Sequence, residues 1–353
     1  MLQERKLKLN RHLQIQSSQN TMNYLKNVCI QNHCICAVHI FLCIHASLIQ
    51  KLQKLQRFWE LYHKETENSK KDCMKKVLII INLSKEESKS LAEKISAYLN
   101  ERGISTVLFS FDGFCENTPF SEYDFVITLG GDGTVLYAAR NCVEYGVPVF
   151  PVNLGQFGFM ASVQQADWKN ALDLYLDGKS PYQERCLIKA TLIREGQEVK
   201  SFLALNDVVV SAKNTARTVA LQVRYDNTHL CNLKSDGVII STPTGSTAYS
   251  ASAGGPIVDP VLDAIVMTPI NSFSLSSRPI VLNPNGIMEI LIQPCRTKEI
   301  CMIVDGQKPE SLQSGDCIRI NRIEKKIKLI ACTQEQFYNA LRSKLNWRGE
   351  PYA

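Results

Sequence analysis

Asp132 stands in the run Gly130-Gly131-Asp132-Gly133-Thr134, which closes the buried-strand pattern DFVITL and opens the helical pattern TVLYAAR. Three glycines at such a junction allow positive φ and close approach of a ligand, and the N–H groups at a helix start point toward an anion. Phosphate is the natural occupant. A carboxylate beside a polyphosphate repels it unless it takes up a proton or holds a metal, and both roles suit phosphoryl transfer. An Asp-Gly pair also makes ordinary tight turns; the chemical reading rests on three glycines set between a buried strand and a helix.

A second constellation is SDGVIISTPTGSTAYSASAGGPIV, residues 235–258. Thr242, Thr244, Ser246, Thr247, Tyr249 and Ser250 offer donors and acceptors, while Gly245, Ala248, Ala251 and Gly254 leave room for a flat ring or a ribose against the backbone. A serine-rich turn would hardly need Pro243, an apolar lead-in and so many small residues together. A third is LNDVVVSA, residues 205–212, where Asn206 and Asp207 open an apolar strand and can either cap a turn or grip a ribose diol.

Other chemistries lose their raw material. The net charge of +6 resides in residues 1–73, with 11 Lys and Arg against 5 Asp and Glu, leaving 29 against 29 beyond. A nucleic-acid binder would show a basic excess in its folded domain. Five of six histidines lie in the same stretch, and only His229 follows it, which disfavours histidine-based nucleophilic or zinc chemistry. The eight later cysteines form no CxxC pair and read as reduced core thiols of a cytoplasmic protein. No GxxxxGK[ST] and no HRD or DFG occurs, so neither a P-loop nor a protein-kinase site is expected.

The elements that must position these residues alternate. VLIII (77–81), STVLF, DFVITLG and VPVFPVNLG read as strands, with helices over 87–103 and 134–146, predicting a parallel sheet with helices on its faces from Met74 to about residue 178. Residues 179–330 read as a mostly β domain. In 331–353, Phe337, Leu341 and Leu345 fall on one helical face, predicting a helix that packs back on the first domain. The apolar run at 34–44 is shorter than the ~20 residues of a membrane span, no small-residue cleavage site follows it, and LIQKLQKLQRFWELYHKE suggests an amphipathic helix. We expect Met74 to be the natural start and residues 1–73 to be an extension without catalytic role.

These segments, with NLGQFGF (153–159), SSRPIVL (276–282) and FYNALRSKLNW (337–347), resemble the bacterial NAD kinases over about residues 74–347. GGDGT alone is shared with diacylglycerol-type lipid kinases and phosphofructokinases, whereas TPTGSTAYSASAGGP in this order is specific. The resemblance implies transfer of the γ-phosphoryl of ATP, or of polyphosphate, to the 2′-hydroxyl of the adenosine ribose of NAD, with Mg²⁺. It further implies a Rossmann-like N-terminal domain, a β-rich C-terminal domain, a site in the crevice between them, and a homo-oligomer, dimer or tetramer. No membrane or nucleic-acid partner is implied.

Carried over by this resemblance, Asp132 is the general base and contacts NAD together with Gly133, while Gly130, Gly131, Gly133 and Thr134 sit against the phosphates of ATP. Asn206 and Asp207 match the adenine-and-ribose pair, and Thr247, Ala248, Tyr249, Ser250, Ala251 and Ser252 match the NAD-binding loop. Asp236 resembles the residue holding the nicotinamide end, helped by Lys234 and Arg217, and Gln307 in IVDGQKP matches a further contact. No metal ligand is assigned. Two departures are Asp207, where the family usually has Glu, and SFSL at 272–275, where PHSL or PHTL is common; Phe273 is expected to be neutral packing. The alternatives are a diacylglycerol-type lipid kinase, which would need an apolar acyl channel, and a non-catalytic NAD-binding sensor.

Overall fold

The structure is a computed structural model that describes residues 76–347 apart from 84–85, 112–119, 156–157, 215–216, 275 and 297–298. The expectations for the N-terminal extension and for a start at Met74 lie outside the described residues. The α/β part comprises β1 (Lys76–Asn82), α1 (Glu86–Asn100), β2 (Ser105–Phe111), β3 (Phe125–Gly130), α2 (Asp132–Cys142), β4 (Val149–Asn153), β5 (Val163–Gln164) and α3 (Trp168–Leu176). Strands β1 to β5 pair in parallel. The apolar run of β1 is buried on both faces, as parallel strands require. Val77, Ile79 and Ile81 pack with Leu91, Ala92, Ile95 and Leu99 of α1. Leu78 and Ile80 face the other way, onto Val135, Ala138, Ala139 and Cys142 of α2; the two-residue period of a strand divides the apolar residues between two helix layers.

The strand order is β2-β1-β3-β4. The chain leaves β1 first toward β2 and then, past β1 again, toward β3, so the carboxyl ends of β1 and β3 diverge. Ligands of open α/β sheets sit at such a reversal. Asn82 ends β1 and Gly130 ends β3, which sets the GGDGT turn there, and Asn82 Nδ2 donates to Thr134 Oγ1 at 3.3 Å.

The β-rich part contains β6 (Tyr182–Arg194), β7 (Gln197–Ala204), β8 (Asp207–Ala212), β9 (Val219–Tyr225), β10 (Thr228–Ser235), β11 (Gly237–Ser241), the single turn α4 (Tyr249–Ser252), β12 (Ile265–Ile270), β13 (Ile280–Leu282), β14 (Met288–Ile292), β15 (Ile300–Val304), β16 (Glu310–Leu312) and β17 (Cys317–Ile330). One sheet has the order β13-β12-β11-β8-β15-β16 and is antiparallel throughout. Its inward residues Val208, Val210, Val238, Ile240 and Met302 share a core with Ile188, Leu221, Val223, Ile290 and Ile320 of the facing sheet. That facing sheet is continuous with the α/β sheet, because β17 pairs with β6 along its length and meets β4 in parallel at Leu329 and Val149.

The last helix, α5 (Gln334–Lys344), returns to the α/β part as expected. Thr333 and Gln336 form a reciprocal capping box: Thr333 Oγ1 accepts from Gln336 N, and Gln336 Oε1 accepts from Thr333 N. Phe337 and Leu341 are buried, and the Phe337 ring lies 6.0 Å from that of Phe159. Leu345, expected on the same face, is 42% exposed because the helix stops at Lys344. Thr333→Ala should lower stability by about 1 kcal/mol, the usual worth of an N-cap side chain; a urea-unfolding midpoint checks this.

Candidate active site

Asp132 is the first residue of α2, and the N-cap position, Gly131, carries no side-chain cap. The first N–H groups of the helix therefore stay available to an anion. The glycines act differently from the sequence expectation, because none of Gly130, Gly131 or Gly133 has a positive φ. The chain passes directly from strand to helix, both of negative φ, so the benefit lies in space. A Cβ on Gly130 would stand 2.3 Å from Thr134 Oγ1, while above Gly131 and Gly133 nothing lies within 4 Å of a would-be Cβ. That open volume is where a phosphate can approach the backbone.

The Asp132 carboxylate is held from one side. Oδ2 accepts from the Phe159 N–H and Oδ1 from the N–H groups of Met160 and Ala161, each at 3.0 Å. A carboxylate offers roughly four acceptor positions, so about one is left for a substrate hydroxyl. The holding loop passes so close that a Cβ on Gly158 would lie 2.3 Å from Asp132 Oδ1. Behind it stand Ser162, whose Oγ lies 3.0 Å from Cys332 Sγ, and Gln336 of α5, which donates to Ser162 O at 3.3 Å. Cys332 is wholly buried, its thiol pushed up chiefly by that burial, and it is a packing residue.

Asn206 and Asp207 occupy the mouth of β8. Their backbone is fixed by Asp305, at the end of β15: its Oδ2 accepts from Leu205 N at 2.9 Å, and its Oδ1 from Asn206 N and Asp207 N at 2.8 and 3.0 Å. Arg140, on α2, donates to Asp305 Oδ2 at 2.8 Å. Burial, then the charge of Asp305, pushes the Asp207 carboxyl up to about 7, opposed by the Tyr249 N–H. Asn206 Oδ1 and Thr244 Oγ1 are buried without a hydrogen-bond partner. Buried polar atoms are nearly always paired; among the described residues Thr128, Gln164, Arg185 and Ser241 carry such atoms as well, and the two at this mouth are open to pairing with a bound molecule.

The 242–252 loop is seated on this mouth. Thr242 N donates to Asn206 O at 2.9 Å, Thr242 Oγ1 accepts from Gly245 N at 3.1 Å, and a Cβ on Gly245 would meet Asn206 O at 2.0 Å. The hydroxyls divide into two sets. Those of Thr242, Ser246 and Ser250 are buried and build the loop itself, Ser246 through Val258 N and Ser250 through Thr268 Oγ1. Thr247, Ala248, Ala251, Ser252 and Tyr249 are half-buried or exposed, and the Thr247 hydroxyl also donates within the loop, to Thr244 O at 3.2 Å.

Asp305 thus ties the backbone of 205–207 to Arg140, which lies on the helix that begins at Asp132, and the Tyr249 N–H ties the 247–252 loop to Asp207. The other expected residues lie elsewhere. Arg217, Lys234 and Asp236 sit toward the opposite end of β8 and β11, with Asp236 five residues or about 17 Å of strand from the Asp207–Ser241 pair. Asp236 there accepts from Asn271 Nδ2 at 3.0 Å. Gln307 lines a crevice of about 990 Å³ with Tyr137, Arg140 and Lys308. Phe273 is not packed: it is 75% exposed, with Lys234 Nζ 5.3 Å from its ring centre, because it lies on a surface turn beside a lysine. Residues absent from the expectations are Asp305, Arg140 and the Gly158–Ala161 loop. Gly158 and Phe159 fall in NLGQFGF, a run that bears only on the resemblance.

Residues 114–180 match the family described as "ATP-NAD kinase N-terminal domain", and residues 205–332 match "ATP-NAD kinase C-terminal domain". The chain is 44% identical over 277 residues to the NAD kinase of Treponema denticola, a match covering 78% of this chain and 98% of that relative. The chain belongs to the ATP-NAD kinase family. The NAD kinase of Geotalea daltonii is 35% identical over 283 residues, covering 78% of this chain and 99% of the relative. Among solved structures, yeast NADH kinase complexed with NADH has a TM-score of 0.70 at 23% identity, covering 79% of this chain and 90% of that one. The NAD kinase of Archaeoglobus fulgidus in complex with ATP has a TM-score of 0.60 at 22% identity, covering 75% and 96%. These two likenesses show that the ATP-NAD kinase fold is shared: an α/β part, a β-rich part and a returning C-terminal helix. Among the described residues no helix is long and apolar enough to cross a membrane.

Proposed function

We propose that this member of the ATP-NAD kinase family transfers the γ-phosphoryl of ATP to the 2′-hydroxyl of the adenosine ribose of NAD, with Asp132 as general base. The observation that carries the assignment is the Asp132 carboxylate itself, fixed by three backbone N–H groups at the start of an uncapped helix, with about one acceptor position free. The 2′-oxygen gives its proton to that position as it attacks the γ-phosphorus, and the bond to the β,γ-bridging oxygen breaks to release ADP. Gly130, Gly131, Gly133 and Thr134 line the phosphate path. Asn206 and Asp207 hold adenosine, with Thr247 to Ser252 along the nucleotide and Gln307 as an outlying contact. Holding the ribose diol beside a fixed base selects which oxygen lies in line.

Mg²⁺ fits as part of the donor. Among the described residues no cluster of three His, Cys, Asp or Glu side chains could hold a metal alone, and Mg²⁺ usually binds through one or two carboxylates together with substrate phosphates. When bound with the donor it would supply charge neutralisation on the phosphates. We assign Lys234, Asp236 and Arg217 to the nicotinamide end; because they lie away from Asp132 in one chain, a homo-oligomer, dimer or tetramer, can bring them in from a second copy. We place the protein in the cytoplasm, a reading supported by the seven free cysteines among the described residues. We likewise treat 74–178, 179–330 and 331–353 as the two domains and the returning helix.

Coupled measurement of NADP formation from NAD, ATP and Mg²⁺ tests the reading; NAD binding without turnover would point to a sensor instead. A pH series tests Asp207. Its folded value lies near 7, above an ordinary carboxyl, so the native state binds the extra proton between about pH 4 and 7 and loses stability as pH rises through that window. Ribose hydroxyls donate to the ionised form. Affinity for NAD should therefore rise through about pH 7 and then level, and Asp207→Asn should flatten that profile; the KM for NAD measured from pH 6 to 8.5 checks it.

A further inference from the structure

We propose that Arg140 and Asp305 are positioning residues, whose buried ion pair ties the helix beginning at Asp132 to the strand mouth that holds the acceptor nucleotide. The inference rests on the assignment of Asp132 as base and of Asn206–Asp207 as the adenosine grip. It adds what keeps the two in register.

Arg140 lies two turns beyond Asp132 on α2, about 12 Å along the axis. Its guanidinium donates to Asp305 Oδ2 at 2.8 Å; the Arg140 side chain is 14% exposed and that of Asp305 fully buried. Asp305 has φ of 47° and Gly306 of 66°, a left-handed pair that turns the chain back at the end of β15. From there the Asp305 carboxylate takes the N–H groups of Leu205, Asn206 and Asp207, while its own N–H donates to Asp207 O at 2.9 Å. One carboxylate thus fixes three successive peptide planes of the grip and is itself held by the helix that carries the base.

A buried ion pair is weak evidence for stability, since apolar side chains of similar volume often serve as well. What apolar packing lacks is direction. Guanidinium and carboxylate define an angle and a distance, so a displacement of α2 reaches the peptide planes at 205–207, and the reverse. A base and an acceptor held on two separate layers need such a link, because a misplacement of about 1 Å can cost about 100-fold in rate.

The test uses the full-length protein. Arg140→Gln leaves the three N–H bonds of Asp305 in place and cuts only the tie to α2, so kcat should fall about 10- to 100-fold while KM for NAD stays within about twofold. Arg140→Lys keeps the charge, and with it the fold, and should recover part of kcat. Asn206→Ala, measured alongside, should raise KM for NAD. If Asn206→Ala raises KM but Arg140→Gln, folded by circular dichroism, leaves both constants within about twofold of the parent, the link is overturned. Equal loss of kcat and of folded fraction, without rescue by Lys, also overturns it, as a purely structural role. If Asn206→Ala leaves KM unchanged, the grip assignment fails and the link falls with it.

Discussion

Replacing Asp132 by alanine should lower kcat by roughly 10² to 10⁴ while leaving NAD bound, the range expected for loss of a general base. Among the described residues the side chain makes no hydrogen bond to Asn206, Asp207 or the 242–252 loop, where adenosine is assigned; its three hydrogen bonds all go to the Phe159–Ala161 backbone. On the proposed assignment, binding and proton removal are thus divided between different residues. Alanine also leaves three N–H groups without their acceptor, each exposed to a water that can enter the space vacated. Asp132→Asn is the sharper comparison. It keeps one oxygen for Met160 and Ala161 but turns an NH₂ toward the Phe159 N–H or toward the substrate, and it cannot take a proton. Isothermal titration with NAD beside a coupled NADP assay checks both: retained affinity with collapsed turnover is expected, and retained turnover in either variant would remove Asp132 from the base role.

The second large effect is expected at a residue with no side chain. Gly158→Ala places a methyl 2.3 Å from Asp132 Oδ1 and 3.1 Å from its Cγ. The atom displaced is the end of a side chain rather than backbone, so the fold should yield cheaply while the carboxylate swings away from its three N–H donors. A fall in kcat of about 100-fold is expected, consistent with a displacement near 1 Å, with little change in the thermal midpoint or in KM for NAD. Kinetics and calorimetry on the same preparation check this. A variant that loses stability in proportion to activity would mean that the loop, and not the base, had moved.

Asp132 could be read from the sequence as a candidate base because everything that marks it is local: a buried strand, three glycines and a helix within a dozen residues. The same holds for Asn206, Asp207 and the 242–252 loop. Asp305 could not be found that way. Its partners lie at 140 and 205–207, on elements far apart in the chain, and an Asp-Gly pair after a strand looks like any tight turn. The role of Gly158 was hidden for a related reason, since the atom it makes room for belongs to residue 132. The alternation of strand and helix predicted the parallel sheet, but not that β17, from the end of the chain, would extend it beside β4. Nor did the hydroxyl-rich run reveal that the hydroxyls of Thr242, Ser246, Thr247 and Ser250 are spent on its own folding.

The docking of α5 against Phe159 and Ser162 has a consequence for synthesis. Chains fold from the N-terminus as they are made, and residues 333–344 leave the ribosome after every residue of the catalytic apparatus. A nascent chain that has reached residue 330 already carries Asp132, Asn206, Asp207 and the GGDGT turn, but the loop around Asp132 has no buttress. The loop around Asp132 therefore gains its buttress only once residues 333–344 have folded back onto Phe159 and Ser162.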